Sequence, residues 1–350
     1  MEEGPRPAVS IVIPGRNCAA TLAPCLEALT PQIESGAVAE ILFVDDGSTD
    51  DSASIAGRYP VRVVAGEGKG PGAARNLGWR EASSPLIWFL DSDCVAEPDA
   101  LQLLLPHLQD PQVGGVGGSY GNMRPDSLLA TLIQEEIVER HLRMPSRVDF
   151  LATFNVVYRR SVLEQVGGFD ERYLKGQDAE LAWRVLEHGH ELGFDVRSRV
   201  KHFHPVGLMS YLRTQRQQGF WRGWLLLAHR DRSVKNQYSN TLDHLAPPLG
   251  VLLVASLPFV AVAGFWLASP WGLTLWSGWC LAALLLLALQ LPLTRRLLRR
   301  TRDWRLLSFA PMAAVRAIYR GVGLTHGVLD ARLKGASSRE PATPDGTIHS

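Results

Sequence analysis

The sequence predicts an α/β domain with a mostly parallel sheet covered by helices on both faces, followed by C-terminal membrane-spanning helices. Three observations support this prediction. Short, β-branched apolar runs alternate with helical segments up to about residue 232, which is typical of a parallel sheet. Polar clusters directly follow three of these runs. Residues 245–294 contain no Asp, Glu, Lys, Arg or His, which is typical of helices that cross a membrane.

The predicted elements of the α/β domain follow one another along the chain. Strands are predicted for short apolar runs that end at polar or glycine residues, over 9–14, 41–44, 61–65, 86–90, 113–118 and 153–158. Helices are predicted between them, over about 21–33, a short segment after residue 50, 73–79, 127–143 and 178–188. We therefore expect the strand ends to be separated in sequence but close together in the fold.

Polar side chains stand at the ends of three predicted strands. Asn17 follows the first strand, Asp45 and Asp46 follow the second, and Asp91 and Asp93 follow the fourth. Ligands of parallel sheets bind beyond the carboxyl ends of the strands. The sequence therefore predicts that these three clusters form one site.

The segment Asp91-Ser92-Asp93 is the strongest candidate for a metal site. Two neighbouring carboxylates repel each other unless a cation neutralises them, and a hard divalent ion such as Mg²⁺ or Mn²⁺ does so. Such an ion usually also binds substrate phosphates. The alternative is an ordinary acidic turn, and the two other strand-end clusters favour the metal site.

Two apolar runs, 245–267 and 271–293, are each long enough for the ~20 residues of a membrane-spanning helix. Ser269-Pro270 lies between the two runs and suits the tight turn of a helical hairpin. Arginines flank both ends of the hairpin, with Lys235 also before it, and basic residues are absent from its turn. This pattern predicts that both ends lie in the cytoplasm. The alternative is a buried helical hairpin of a soluble fold.

The predicted domain organisation follows from these composition changes. It comprises an α/β domain over 1–232, a transmembrane hairpin over 233–294, a basic juxtamembrane segment over 295–334 and a disordered tail over 335–350. Residues 306–329 are apolar but contain Arg316, Arg320 and His326. An interfacial amphipathic helix is therefore favoured there over a third span.

Composition restricts the location and the partners. The formal net charge of +1 gives no electrostatic reason to expect nucleic acid. No basic segment precedes an apolar stretch at the N-terminus, so we expect no cleaved signal and a cytoplasmic N-terminal domain. The four cysteines form no CxxC pair, which favours unpaired thiols in a reducing compartment: Cys18, Cys25, Cys94 and Cys280.

Four sequence blocks in this order carry a family resemblance: VSIVIPGRN, EILFVDDGSTDDS, GPGAARNLG and FLDSDC. They resemble family 2 of the glycosyltransferases with the GT-A fold, a Rossmann-like α/β fold. The resemblance covers about Val9–Gly223. It implies a nucleoside-diphosphate sugar as donor, a divalent metal (Mn²⁺ or Mg²⁺) as cofactor and inversion at the anomeric carbon.

The resemblance also implies roles for the donor-binding residues. Asp45 or Asp46 would accept a hydrogen bond from a base N–H, which suits uracil and hence a UDP-sugar, although Asp46 is also a typical turn residue. Arg75 would reach a phosphate or brace the Asp91–Asp93 loop. Asp91 would contact the ribose or a metal-bound water. The remaining residues implied to line the nucleotide site are Pro14, Arg16, Asn17 and Asn76.

The segment GQDAEL (176–181) resembles the family's G-E-D-x-D-L motif and implies that Asp178 is the catalytic base. The alternative for Asp178 is an ordinary helix N-cap. Gln177 and Glu180 depart from the motif's Glu and second Asp, which leaves the class of acceptor open. His202 and His204 are candidates for completing the metal site, with His202 slightly favoured.

The product and the acceptor are inferred from the remaining features. The Q-x-x-R-W motif of processive members is absent, since Gln218 is followed by Trp221 and then Arg222, so we expect transfer of a single sugar. Attachment to the inner face of the cytoplasmic membrane favours a lipid- or polyprenyl-linked hydroxyl acceptor. The alternatives are a polyprenyl-phosphate sugar synthase and a non-catalytic membrane scaffold. A nicotinamide oxidoreductase is disfavoured because no G-x-G-x-x-G follows the first strand.

Overall fold

The computed structural model describes residues 9–34, 36–229, 237–238, 241–266 and 271–334. These residues form two compact units. The first comprises 9–125 and 140–204, and the second comprises 126–139 and the described residues after 204. The predicted tail at 335–350 and the predicted turn at 269–270 lie outside the described residues.

The first unit contains a nine-stranded sheet. Its strands are β1 (Val9–Gly15), β2 (Glu40–Asp45), β3 (Arg62–Ala65), β4 (Leu86–Leu90), β5 (Cys94–Ala96), β6 (Val113–Asn122), β7 (Arg147–Val148), β8 (Asn155–Arg159) and β9 (Glu191–His202). The helices up to residue 187 are α1 (Ala19–Glu34), α2 (Ser52–Ala56), α3 (Pro71–Glu81), α4 (Ala100–Leu104), α5 (Leu128–His141), α6 (Arg160–Val166) and α7 (Gln177–Glu187).

The strand order confirms the predicted α/β class and refines it. The order is β3-β2-β1-β4-β8-β6-β9-β5, with β7 on β9. The first four strands are parallel. Beyond them the sheet is mixed, because β8 runs antiparallel to both β4 and β6 while β6 and β9 are parallel. Strands β5, β7 and β9 and helices α4 and α6 were not among the predicted elements. All of these except the 12-residue β9 are too short to show a hydrophobic period.

Strand β1 is buried on both faces of the sheet, as its continuous apolar sequence predicts. Ile11 and Ile13 belong to the core cluster that includes Leu22 of α1. Val12, with the opposite orientation, belongs to the cluster on the other face. Helix α3 approaches this face closely, because a Cβ on Gly78 would overlap with Val12. The carboxyl end of β1 is thereby held between two helical layers.

The second unit is helical in its described part. Besides part of α5 it contains α8 (Leu208–Ala228), α9 (Thr241–Trp266), α10 (Trp271–Ala288), α11 (Leu291–Thr301) and α12 (Phe309–Lys334). The second predicted apolar run, 271–293, is divided in the structure between α10 and α11. Two segments, Asp243–Gly264 and Trp271–Thr301, are long and apolar enough for helices that cross a membrane.

Helices α8 and α12 pack backbone to backbone through glycines. Gly219 and Gly223 on α8, and Gly323 and Gly327 on α12, each form a small-xxx-small pair. A Cβ on Gly223 would lie 2.8 Å from the carbonyl oxygen of Leu324. A Cβ on Gly323 or Gly327 would overlap with backbone atoms of α8. The close approach therefore depends on the absence of side chains at these positions.

Arg316 explains why the run at 306–329 tolerates charge. Its guanidinium is buried and pairs with the carboxylate of Glu136 on α5. Its Nη1 also donates to the Tyr211 hydroxyl at 3.1 Å. A buried charge requires such a partner. Helix α12 thus packs against neighbouring helices of its own unit through a polar as well as an apolar surface.

Candidate active site

The loop after β4 carries Asp91, and a buried arginine from α3 holds it. Arg75 Nη2 donates to Asp91 Oδ1 at 2.6 Å. The Arg75 side chain is only 5% exposed, whereas Asp91 is one-third exposed. A buried guanidinium needs a carboxylate partner, so this pair fixes the loop while leaving part of Asp91 accessible. Two roles were predicted for Arg75: contacting a phosphate or bracing the Asp91–Asp93 loop. The bond to Asp91 corresponds to the second role.

The same guanidinium reaches the segment that precedes Asp178. With the Gln177 amide oriented so that its nitrogen donates to the Tyr173 carbonyl at 2.7 Å, its oxygen accepts from Arg75 Nη1 at 2.7 Å. The Arg75 guanidinium also lies 5.7 Å from the ring centroid of Phe169. Arg75 therefore joins the end of β4 to the N-terminus of α7.

Asp93 lies beside a histidine pair at the end of β9. Asp93 Oδ2 is 3.0 Å from His202 Nε2, and His202 Nδ1 is 2.9 Å from His204 Nδ1. Antiparallel pairing of β5 with β9 sets Cys94 opposite His202 and brings these residues together. Of the two predicted histidines, His202 faces the carboxylate and His204 lies behind it.

The separation of Asp93 and His202 fits a shared divalent ion. A carboxylate oxygen of Asp93 and a ring nitrogen of His202 lie 3.0 Å apart in a hydrogen bond, so both would reach one ion that took the place of the shared proton. A carboxylate oxygen with an imidazole nitrogen is a donor set that suits Mn²⁺ better than Mg²⁺. These two residues can therefore hold a metal ion.

Electrostatics separate the roles of the two histidines. Burial lowers the pKa of His202, but the charge of Asp93 and its hydrogen bond outweigh burial and raise it overall. Burial and the charge of His202 lower the pKa of His204 to about 3. His204 is therefore neutral and can orient the His202 ring, as residues behind a metal ligand commonly do.

Cys94 is a neighbour that sequence reasoning did not place at this site. Its Sγ, a ligand oxygen of Asp93 and a ring nitrogen of His202 all lie within 4.8 Å of one another. The thiol is fully buried, and this burial raises its pKa well above the usual value. Because the thiol stays protonated and hard cations prefer oxygen ligands, Cys94 contributes packing rather than a metal bond. The four cysteines are free, as predicted.

Asp178 is the second residue of α7. The N-cap is Gly176, and no side chain caps the helix, so the N-cap alternative for Asp178 does not describe the structure. Asp178 Oδ1 accepts from the Ala179 amide at 2.9 Å. Burial raises the pKa of Asp178 despite the opposing amide and the charge of Arg75. A carboxylate with a raised pKa is a stronger base.

Glu180, the second residue that departs from the motif, forms an ion pair with Arg184, which lies one helical turn further along α7. The Glu180 carboxylate accepts from Arg184 Nε at 2.6 Å and from Arg184 Nη2 at 2.5 Å. Arg184 Nη2 also donates to the Gly168 carbonyl at 2.7 Å. Glu180 is buried and therefore fixes α7 against the preceding loop.

The residues after β1 are hydrogen-bonded to the loop after β2. Asn17 adopts a left-handed backbone with a φ of 52°. Its side-chain Oδ1 accepts from the backbone N–H of Thr49 at 2.8 Å. Its backbone N–H donates to Ser48 Oγ at 3.0 Å. Pro14 is buried within β1, and Arg16 is partly exposed next to Asn17. Asn17 therefore shapes the predicted base pocket by joining its two loops.

The two aspartates after β2 have different surroundings. Asp46 is buried and accepts from the Gly70 amide at 2.7 Å and the Lys69 amide at 3.2 Å. Asp45 is partly exposed, and its Oδ1 accepts from the Ser48 amide at 3.0 Å. Asp46 thus holds the glycine-rich loop, and the geometry favours Asp45 as the partner of a base.

Asn76 has no hydrogen-bonding capacity left for a ligand. Its Nδ2 donates to the Phe169 carbonyl and to Glu171, each at 2.8 Å. Its Oδ1 accepts from Trp79 Nε1 at 3.0 Å and from the Phe169 amide at 2.8 Å. An amide forms at most these four bonds, so Asn76 is a buried link between α3 and the loop before α7.

Lys175 is a further residue that sequence reasoning missed. It lies directly before Gly176, partly buried. Burial lowers its pKa, while the charges of Asp91, Asp93 and Asp178 act in the opposite direction. Its position next to the GQDAEL segment was the only available signal. Lys175 adds a second basic group, besides Arg75, near the carboxylates of this site.

Comparison with known proteins gives a consistent result. A sequence model described as glycosyl transferase family 2 matches residues 10–167. The chain is 29% identical over 240 residues to a pre-mycofactocin glycosyltransferase of Mycobacterium tuberculosis, covering 64% of this chain and 49% of that protein. It is 30% identical over 253 residues to the succinoglycan biosynthesis protein ExoU of Rhizobium meliloti, covering 66% of this chain and 67% of that protein. The chain thus spans about half of the first relative.

One solved structure shares the fold over most of the chain. The mannosyltransferase PcManGT of Pyrobaculum calidifontis, solved with GDP-Man and Mn²⁺, matches with a TM-score of 0.58 and 19% identity. The match covers 91% of this chain and 87% of that chain. It extends beyond the sheet domain into the helical region, and it establishes a common fold.

Proposed function

The chain belongs to glycosyl transferase family 2, and on this basis we propose that it transfers one sugar from a nucleoside-diphosphate sugar to a hydroxyl acceptor, with inversion. The observation that carries the proposal is the group formed by Asp91, Asp93 and His202 beyond the carboxyl end of β4. An acidic pair next to an imidazole, 3.0 Å from one carboxylate, is suited to hold a divalent ion and the diphosphate it binds.

The proposed donor site combines this group with Asp45. A carboxylate next to the base accepts an imide N–H, which favours a UDP-sugar. Guanine presents a similar N–H, and PcManGT was solved with GDP-Man and Mn²⁺. Pro14, Arg16 and Asn17 would shape the base pocket, Asp91 would contact the ribose or a metal-bound water, and the metal would be held by Asp93 and His202.

The proposed chemistry is an in-line displacement at the anomeric carbon. Asp178 takes the proton of the acceptor hydroxyl as its oxygen attacks. A divalent metal held by Asp93 and His202 would neutralise the charge that develops on the departing diphosphate. Arg75 holds Asp91 in position and supports α7 through Gln177. It thereby maintains the position of the sugar donor relative to the base Asp178. Lys175 adds positive charge on the same side.

The proposed acceptor is lipid- or polyprenyl-linked, and the proposed location is the inner face of the cytoplasmic membrane, with the α/β domain in the cytoplasm. The support is the pair of apolar segments, Asp243–Gly264 and Trp271–Thr301, flanked by arginines. The relatives include proteins named succinoglycan biosynthesis protein ExoU and, in Salmonella anatum, O-antigen chain rhamnosyltransferase WbaN. An enzyme and a lipid-linked acceptor in one membrane would meet efficiently.

A thermal-shift screen tests the proposal. The full chain in detergent is heated with UDP, GDP, ADP, CDP or TDP, each with and without Mn²⁺. Ligand at about a hundred times its Kd stabilises a folded protein by about 2.7 kcal/mol. We expect one nucleotide to raise Tm by several degrees only when Mn²⁺ is present.

Two variants sharpen the screen. Asp93→Asn should abolish the Mn²⁺-dependent shift, because it removes a metal ligand. Asp99→Asn, an exposed carboxylate of the same region whose side chain does not cap α4, should leave the shift unchanged. The absence of a shift with every nucleotide would refute the donor assignment and favour a non-catalytic scaffold.

A further inference from the structure

Helix α11 divides its arginines between two sides. It directly follows the apolar helix α10, separated from it by two residues. Arg296 and Arg300 face α5 within the same unit. Arg300 Nη2 is 2.6 Å from Glu135, and Arg300 Nε and Arg296 Nε are 3.2 Å and 3.4 Å from the carboxylate oxygens of Glu139. These two charges are therefore paired with carboxylates of the same unit.

A second side of α11 is apolar and buried. Leu293 and Leu297 pack in a cluster with Leu306 and Phe309. The hydrophobic and paired sides together fix the rotation of the helix about its axis. The remaining side must face outward.

The outward side carries three arginines. Arg295 and Arg299 are one turn apart on α11, and Arg302 follows its last residue, so the three lie on one side of the helix. All three are exposed. Within the described part of the chain none of them has an ion-pair partner. The acidic residue nearest in sequence, Asp303, is occupied by Arg305 at 2.8 Å.

Arg302 occupies a backbone position that favours glycine. It ends α11 in the left-handed conformation, with a φ of 58°. Residues other than glycine adopt this conformation at an energetic cost. Among the described residues no hydrogen bond or ion pair of the Arg302 side chain offsets the cost. A charged residue therefore occupies a position at which glycine would give a more stable fold, and this is expected of a functional position.

Exposed apolar side chains continue this surface. Trp304 is 76% exposed and Leu307 is 59% exposed. A tryptophan beside arginines is typical of the zone between lipid headgroups and acyl chains. The segment Trp271–Thr301 begins with α10 and ends with α11, and only 11% of its most apolar stretch is buried in the protein. That stretch therefore also requires an apolar environment.

We infer that Arg295, Arg299, Arg302, Trp304 and Leu307 form a docking surface for the headgroups of anionic phospholipids. The three guanidinium groups would bind lipid phosphates, and the two apolar side chains would enter the headgroup region. The inference rests on the membrane location proposed above and is independent of the catalytic assignment. Lipid binding at this surface would hold α11 in the plane of the membrane.

Titration with short-chain lipids tests the inference. The full chain in a non-ionic detergent is titrated with dihexanoyl phosphatidylglycerol or dihexanoyl phosphatidylcholine while Tm is measured. We expect phosphatidylglycerol alone to raise Tm. The variant with Arg295, Arg299 and Arg302 changed to Gln should need about a hundredfold more of it, since each basic residue strengthens binding to an anionic surface about fivefold.

A matched variant controls for net charge. Changing Arg58, Arg80 and Arg199 to Gln removes three exposed charges from the first unit and should leave the lipid response unchanged. Equal responses of wild type and the α11 variant, or stabilisation by inorganic phosphate equal to that by phosphatidylglycerol, would overturn the inference. Both variants should keep their nucleotide-dependent shift, so failure of this surface is distinguishable from failure of the proposed function.

Arg302→Gly separates lipid binding from folding. It should raise Tm in lipid-free detergent, because glycine suits the left-handed position. It should also weaken the phosphatidylglycerol response about fivefold. A lower Tm without lipid, or an unchanged lipid response, would contradict the role given to Arg302.

Discussion

The guanidinium of Arg75 donates to the carboxylate of Asp91 at 2.6 Å from a buried position on α3. Its second nitrogen reaches Gln177 at 2.7 Å. One side chain therefore ties the acidic loop after β4 to the helix that carries the proposed base. Their relative position depends on a planar group with two donors directed at two acceptors.

Replacing Arg75 by Lys is expected to reduce kcat/KM by about a hundredfold, because a shift of about 1 Å in the reacting groups can have this effect. Lysine keeps the charge but cannot reach both Asp91 and Gln177 as a rigid fork. Activity assays with saturating Mn²⁺ measure the loss. Arg80→Lys, an exposed position on the same helix, is the control, and a similar loss in both variants would contradict the special role of Arg75.

The strand ends were predictable from sequence because short-range signals define them. The run LIWFL followed by Asp-Ser-Asp predicted β4 over 86–90, and the structure places β4 at Leu86–Leu90. The parallel order of β1, β2 and β4 brings together clusters whose positions the alternation of strands and helices already indicated. Hydrophobic pattern thus predicted the first half of the sheet and the edge of the sheet at which the polar clusters lie.

Individual roles were less predictable because they depend on partners far away in sequence. Asn76 belongs to a segment that resembles a nucleotide-binding motif, yet Trp79, Phe169 and Glu171 together saturate its amide. The Asp46 carboxylate similarly accepts hydrogen bonds from the backbone N–H groups of Lys69 and Gly70. Sequence gives the donors and acceptors of a side chain but not which of them remain available.

Replacing Asp178 by Asn should abolish transfer to a hydroxyl acceptor while raising stability at neutral pH. Burial raises the pKa of Asp178, so its ionised form is disfavoured in the folded state, and the stability its protonated form provides is lost as pH rises through the folded pKa. A neutral amide removes this penalty. Melting curves at neutral pH and assays of sugar transfer measure both effects. Near-normal turnover would instead favour a phosphate acceptor, as in a polyprenyl-phosphate sugar synthase.

The same raised pKa predicts the acid limb of the pH profile. The base must be ionised to act, so kcat/KM should fall as pH decreases through the folded-state pKa of Asp178. The midpoint should lie above 3.8, the ordinary value for an aspartate. Initial rates over a pH series at fixed Mn²⁺ measure it. A midpoint at or below the ordinary value would argue against Asp178 as the base.

Changing His202 to Ala is expected to raise the Mn²⁺ concentration required for half-maximal activity more than changing His204 to Phe. His202 Nε2 lies 3.0 Å from Asp93, whereas His204 Nδ1 lies 2.9 Å from Nδ1 on the other side of the His202 ring. Loss of a residue behind a ligand usually weakens metal affinity about 10- to 100-fold, and loss of the ligand itself should exceed that. Titration with Mn²⁺ measures both, with exposed His188→Ala as control. A larger effect at His204 would reverse the assignment.

The contact between α8 and α12 predicts opposite outcomes for two glycine substitutions. Gly323→Ala places a methyl group against the backbone of Arg216, which cannot move aside as a flexible side chain would. Overpacking of this kind typically costs about 1–3 kcal/mol, although alanine by itself favours helix by about 1 kcal/mol over glycine. Tm of the full chain in detergent should therefore fall.

Gly278→Ala is the matched control for Gly323→Ala. Gly278 also lies within an apolar helix, but a Cβ there would have no neighbour within 4 Å. Only the helix propensity then acts, so Tm should stay the same or rise slightly. Because the two substitutions add the same methyl group, the difference between their melting temperatures isolates the α8–α12 contact. Equal Tm values would mean that these helices do not pack through their glycines.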